Sequence, residues 1–187
     1  MTPVRSGRVR ARPEISIIVD APEWRKDRGL IRIVRRAGQL AAQTPRSRGA
    51  ARIEGPSASV LLSSDKPIQE LNDNFRGKNE STNVLAFPAL PRAAPYIGDV
   101  ALAYGVIRRE AAEQGKSLVA HSAHLTIHGI LHLLGFDHDR QNAAKLMENQ
   151  EILLLAQLGF ANPYAGVPVR KRRFRNKLAP CPTIPAR

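Results

Sequence analysis

The chemistry in this sequence is concentrated in one stretch, HGILHLLGFDH, from His128 to His138. The spacing is H-x-x-x-H-x-x-G-x-x-H, and all five histidines of the chain fall between 121 and 138. On a helix, His128 and His132 stand at i and i+4, so both imidazoles leave one face about a turn apart. That separation suits two nitrogens reaching one tetrahedral zinc at about 2.0–2.1 Å each. Gly135 can adopt a positive φ and turn the chain sharply, which lets His138 fold back as a third ligand. Three protein nitrogens leave one coordination position for water, the arrangement of a catalytic site rather than a closed structural one. The competing reading is a set of hydrogen-bonded histidines on a helix. The glycine-spaced third histidine argues against it.

A large class of zinc proteases shares this spacing but carries a glutamate after the first histidine, where it takes a proton from metal-bound water. Here that position is Gly129. Peptide hydrolysis by this motif is therefore disfavoured, although a metal alone still lowers the pKa of its water. A glycine there instead permits close approach of a substrate or a neighbouring element. His121 and His124 lie on the same helical stripe, one and two turns earlier. A ligand role for either would overfill the site. Either could support a ligand from behind or face substrate, and the favoured reading for each is a partly buried, hydrogen-bonded group. Asp137 is placed to orient an imidazole N–H, and Asp139 to cap the helix that follows.

The elements that must position these residues follow from periodicity. Strands are expected at 15–20, 58–64, 84–89 and 97–103, the third at a sheet edge because of Pro88. Helices are expected at 24–43, 66–74, 105–114, 117–134 and 141–158. In the last of these, Leu146, Ile152, Leu153, Leu155 and Leu158 are the core candidates, and Gly159 is the stop. The polar segment 75–83 reads as an exposed loop. This order predicts an α+β fold, a small mixed four-stranded sheet with helices packed on it and the metal site at a helix end.

The formal charge is +13 over 187 residues, unevenly placed. Residues 1–12 carry four arginines and no acid, and residues 165–187 carry seven Lys or Arg and no acid. The region 13–164 is nearly balanced, with 18 basic and 16 acidic residues. This divides the chain into a flexible basic arm (1–12), a single catalytic metallohydrolase domain (13–164) and a disordered basic tail (165–187). Arms of this kind suit a polyanion, whose counterions they displace, and the run VRKRRFRNK (169–177) suits nucleic acid in particular. The other reading is solvated tails that aid solubility. No apolar run approaches the roughly 20 residues that cross a bilayer, and no signal peptide is evident, so a cytoplasmic protein is expected. The single cysteine, Cys181, permits no intrachain disulfide and reads as a solvated tail thiol.

With these motifs in hand, the chain from about 15 to 164 resembles the endoribonuclease YbeY family of bacterial rRNA maturation factors. HGILHLLGFDH is similar to the family's metal signature, glycine included. LNDNFRGKNESTNVLAFP (71–88) resembles its second signature, IGDVALA (97–103) its third, and ILLLAQLGFANPY (152–164) its usual ending. The resemblance implies a zinc-dependent, single-strand-specific endoribonuclease acting on the small ribosomal subunit, in 16S rRNA 3′-end maturation and ribosome quality control. It implies metal ligation by His128, His132 and His138 and a functional role for Arg76, whose guanidinium can grip a phosphate bidentately. Asn83 stands where family members usually carry Asp, and Ala86 where they carry Ser, which puts full activity in question. No general base is evident, and Asp99 and His124 are the catalytic candidates. The attacking group, water or the RNA's own 2′-OH, stays open. Two other classes stay open as well: a non-catalytic zinc-containing assembly factor that binds RNA, and a metal hydrolase of peptides or small molecules.

Overall fold

The computed structural model describes residues 11–46, 53–138 and 141–165. The element order is β1 (Glu14–Val19), α1 (Arg28–Ala42), β2 (Ser57–Ser63), α2 (Asp65–Arg76), β3 (Val84–Pro88), β4 (Tyr96–Ala103), α3 (Tyr104–Glu113), α4 (Leu118–Leu133) and α5 (Gln141–Gln157), with short 3-10 turns at Pro22–Lys26 and Pro91–Ala93. This is the expected α+β architecture. Most of the basic arm, the tail with Cys181 and residues 169–177, and the Asp139 helix cap lie outside the described residues.

The four strands form one sheet in the order β1-β2-β4-β3. β1, β2 and β4 run parallel, and β3 runs antiparallel along β4. Among the described residues β3 has a neighbour on one side only, so Pro88 sits on an edge strand, where a missing N–H costs least. Alternation along the strands gives the sheet two apolar faces. Val84, Val100 and Leu102 point to one face, under α1 and α4, with Val60 and Leu62 of β2. Leu85, Ala101 and Ala103 point to the other, under Ile68 of α2.

Local signals set the helix ends. Asp27 caps α1 by accepting the Gly29 N–H at 2.7 Å, and Ser117 caps α4 by accepting the Ala120 N–H at 3.1 Å. α2 ends at Gly77, whose φ of 63° terminates it in the left-handed conformation. The helix runs two residues further than the sequence suggests, so Arg76 is its last residue rather than part of a loop.

α4 is the centre of the molecule. Every residue from His121 to Leu133 is buried, between the sheet on one side and α1, α3 and α5 around it. α5 covers it with Met147, Leu154 and Leu155. Two of the core residues expected in α5 are wrong: Leu146 and Leu153 are 54% and 56% exposed. The inward stripe is instead Met147, Glu151, Leu154 and Leu155, spaced i, i+4, i+7 and i+8. Sequence reading passed over this stripe because it contains a charge.

Gly129 is where α4 lies closest to the sheet. A Cβ built there meets Val100 Cγ1 at 2.7 Å and Cγ2 at 3.0 Å, and Val84 Cγ2 at 3.3 Å. Valine is stiff at χ1 and cannot swing aside cheaply. The protease glutamate is therefore excluded by packing, since a side chain at 129 points into the sheet and away from the histidine face. Gly129→Ala gains about 1 kcal/mol of helix propensity but suffers overpacking of about 1–3 kcal/mol. We expect net destabilisation, read as a lowered Tm in thermal unfolding. Adding Val100→Ala to Gly129→Ala should cost less than Val100→Ala costs alone, because the methyls removed are those that clash. Additive losses would contradict this account of the glycine.

Candidate metal centre

His128 and His132 sit one turn apart at the end of α4, with ring centroids 4.5 Å apart and their Nε2 atoms 3.0 Å apart. The chain then turns back through Gly135, whose φ is 84°. The turn is a Schellman motif: the Gly135 N–H donates to the His132 carbonyl at 2.9 Å, and the Phe136 N–H donates to the Leu131 carbonyl at 3.0 Å. It delivers His138 to the same place, with ring centroids 5.7 Å from His128 and 5.0 Å from His132. One ligand atom from each of the three rings lies within 4.8 Å of the others. The Asp137 carboxylate accepts the backbone N–H of His138 at 2.6 Å, which helps fix the turn.

The outer ring nitrogens reveal what the inner ones are set up to do. His132 Nδ1 donates to the Phe136 carbonyl at 3.0 Å, an acceptor created by the turn itself. His128 Nδ1 donates to Glu151 Oε1 at 2.7 Å. With a proton on each Nδ1, a neutral pair of rings points two Nε2 lone pairs at each other across 3.0 Å. Burial, reinforced by His128 and His138, pushes the His132 pKa down to about 3, so His132 keeps its Nε2 lone pair at neutral pH. A cation shared by the lone pairs resolves the conflict. The donor set, three imidazoles with no thiolate, fits a divalent transition metal such as zinc.

Glu151 is 1% exposed and uses both carboxylate oxygens. Oε1 holds His128, while Oε2 lies 3.2 Å from His124 Nε2 and accepts the Tyr164 hydroxyl. Burial alone would push its pKa up. Hydrogen bonds from His124 and His128 outweigh that and hold Glu151 well below the usual carboxylate range. The site therefore keeps a buried carboxylate anion behind the histidines, the orienting partner that metal-bound imidazoles characteristically have. Sequence reasoning gave the orienting role to Asp137 and missed Glu151 and Tyr164. The available signal was the helical stripe that places Glu151 among Met147, Leu154 and Leu155.

The other sequence candidates separate. His124 is buried and committed to Glu151, and His121 is buried against Glu110 at 2.8 Å. Asn83 donates to both Glu110 oxygens, at 3.1 and 2.9 Å. Its amide thus suits an acidic neighbour that an Asp would repel. Ala86 is buried on the α4 side of β3. Asp99 is exposed, and strand alternation puts it with Ala101 and Ala103 on the sheet face opposite α4. There it accepts the Tyr96 hydroxyl, so it is not brought to the histidines. Arg76 is half-buried at the end of α2. Burial lowers its pKa from the ordinary value, and its Nε is buried without a hydrogen-bond partner among the described residues.

Fold and site together define an α+β protein with a three-histidine group, two of its members buried and His138 half-buried, able to hold a metal ion at a helix end. The chain belongs to the endoribonuclease YbeY family, whose model matches residues 28–159. It is 41% identical over 162 residues to the endoribonuclease YbeY of Rhodopseudomonas palustris, covering 83% of both chains. It is 46% identical over 142 residues to that of Stenotrophomonas maltophilia, covering 70% of this chain and 88% of the relative.

A histidine whose native pKa lies below its unfolded value takes up protons more readily in the unfolded chain. Falling pH therefore favours unfolding through the window from 6.5 down to about 3. We expect the metal-free protein to lose stability below pH 6.5, with His132 contributing a slope of at most about 1.4 kcal/mol per pH unit. Chemical denaturation at pH 7, 6 and 5 checks this. His132→Gln should flatten the dependence, and an identical slope in that variant would contradict the assignment.

Proposed function

We propose that this chain is a zinc-dependent endoribonuclease that cuts single-stranded RNA. Its setting is the small ribosomal subunit in the cytoplasm, where it acts in 16S rRNA 3′-end maturation and ribosome quality control. The observation that carries the reading is the facing Nε2 pair of His128 and His132, 3.0 Å apart with both Nδ1 atoms engaged, in a chain of an endoribonuclease family.

His128, His132 and His138 hold the metal. When bound, zinc supplies Lewis acidity at the scissile phosphodiester. Glu151 and the Phe136 carbonyl fix the tautomers, so that His128 and His132 present Nε2. Arg76 grips the phosphate and stabilises charge that builds on it. Its partnerless, desolvated Nε supports this, because an unsatisfied guanidinium in a half-buried position gains most from an incoming oxyanion. The reading routes no proton through Asp99, which faces away from α4, or through His124, whose Nε2 is engaged by Glu151.

The test measures metal content and cleavage of a single-stranded RNA together. Wild type should carry about one zinc per chain and cut, and His132→Ala should lose both. Arg76→Ala should retain the metal and lose about 10²–10³ in rate. Zinc without cleavage above the His132→Ala background would turn the reading to a non-catalytic RNA-binding assembly factor. For Glu151→Gln we expect zinc affinity to fall about 10–100-fold, measured by competition with a chromophoric chelator. Unchanged affinity would remove Glu151 from the site.

A further inference from the structure

The near balance of charge in the central region hides a strong local asymmetry. From Arg28 to Ile53 there are seven arginines and no acidic residue. Four of them, Arg28, Arg32, Arg35 and Arg36, are exposed on the outward side of α1, opposite the buried stripe of Leu30, Val34, Ala37 and Ala41. With Ile31 and Gln39 they line a shallow surface groove. None of the four side chains makes an ion pair or hydrogen bond with a described residue, whereas the exposed Arg109 is paired to Asp65 at 2.9 Å.

An ordinary solvated helix face mixes signs. Here Arg28 and Arg32, Arg32 and Arg35, and Arg32 and Arg36 stand at i+4 or i+3, spacings at which like charges destabilise a helix. The stripe spans about 12 Å along the axis. All four residues are arginine, whose planar fork matches phosphate oxygens better than the point charge of lysine. Gln39 also lines a larger cleft at the far end of α1, together with Arg12, Arg46 and Leu134. Leu134 is the C-cap of α4, next to the Gly135 turn that joins His132 to His138.

We propose that the exposed face of α1 is a docking surface for the RNA phosphate backbone, separate from the three-histidine centre. It rests on the endoribonuclease reading for the choice of polyanion. Backbone binding of this kind positions RNA without reading its sequence.

The test uses the full chain carrying Arg32→Gln, Arg35→Gln and Arg36→Gln together, with the corresponding triple Lys variant as a charge-preserving control. All three positions are exposed, and unchanged thermal unfolding confirms the fold. Binding of a hairpin RNA with a single-stranded extension is followed by fluorescence anisotropy at several salt concentrations. Cleavage of a short single-stranded oligonucleotide is measured alongside. The Gln variant should bind the hairpin RNA at least 10-fold more weakly at low salt. The slope of log K against log salt should shrink by about 2–3, at roughly 0.7–0.9 for each phosphate no longer neutralised. The Lys variant should keep most of the slope, and the turnover number on the short oligonucleotide should stay at the wild-type value in both. Unchanged RNA affinity and slope in the Gln variant overturn the proposal. They do so equally if that variant instead loses retention on anionic lipid vesicles, which would reassign the face to a membrane surface. Failure of the wild type to cut the short oligonucleotide would contradict the nuclease reading and not this one, which the binding comparison decides by itself.

Discussion

The hydrogen bond between Glu151 and His128 is the interaction on which the rest of the site depends. It joins a carboxylate to an imidazole, each 1% exposed, at 2.7 Å. A buried carboxylate without partners is costly, so Glu151 needs His128, His124 and Tyr164 together. In return it determines which His128 nitrogen carries the proton, and therefore which one faces His132. Packing enforces the arrangement: α5 is held on α4 by Met147, Leu154 and Leu155, and Glu151 lies in the same stripe. Core and site are thus one structure, with the apolar contacts that stabilise α5 also setting the position of the carboxylate.

The second constraint is the close approach of α4 to the sheet. A helix buried on all sides needs a small residue where it crosses its nearest strand, and Gly129 meets that need against Val100 and Val84. A protease of similar spacing uses the equivalent position for proton transfer. In this protein that position faces the core, so no side chain at 129 can reach the histidine face. The Schellman turn is as economical: one glycine ends the helix, aims His138, and presents the Phe136 carbonyl to His132.

Much of this was legible in the sequence because its signals are local. The i, i+4 histidines, the glycine at the turn, the strand alternation and the edge proline each rest on neighbours within a few residues, and the structure bears them out in fold and in the grouping of the three rings. What sequence reasoning missed is long-range. Glu151 is 23 residues from His128 and Tyr164 is 40 from His124, and pairings of that kind carry no periodic signature. Asp99 looked like a catalytic candidate because a strand sequence does not say which sheet face meets which helix. Leu146 and Leu153 were expected inside because hydrophobicity outweighed phase, when the charged Glu151 marked the inward stripe. The arginine face of α1 was hidden for a different reason: net charge averages over a region, whereas a polyanion meets one surface.

The central claim is that both imidazoles of the α4 pair carry their proton on Nδ1 and present Nε2 to a shared cation. Long-range proton–nitrogen NMR of the histidine side chains, at neutral pH before and after addition of zinc, tests it most directly. The account predicts a proton on Nδ1 of both His128 and His132 in the metal-free protein, with His132 as the neutral Nδ1–H tautomer, and a shift of the Nε2 resonances of His128, His132 and His138 when one equivalent of zinc is added. An Nε2–H tautomer for either His128 or His132, or zinc addition that leaves their Nε2 resonances in place, would contradict it.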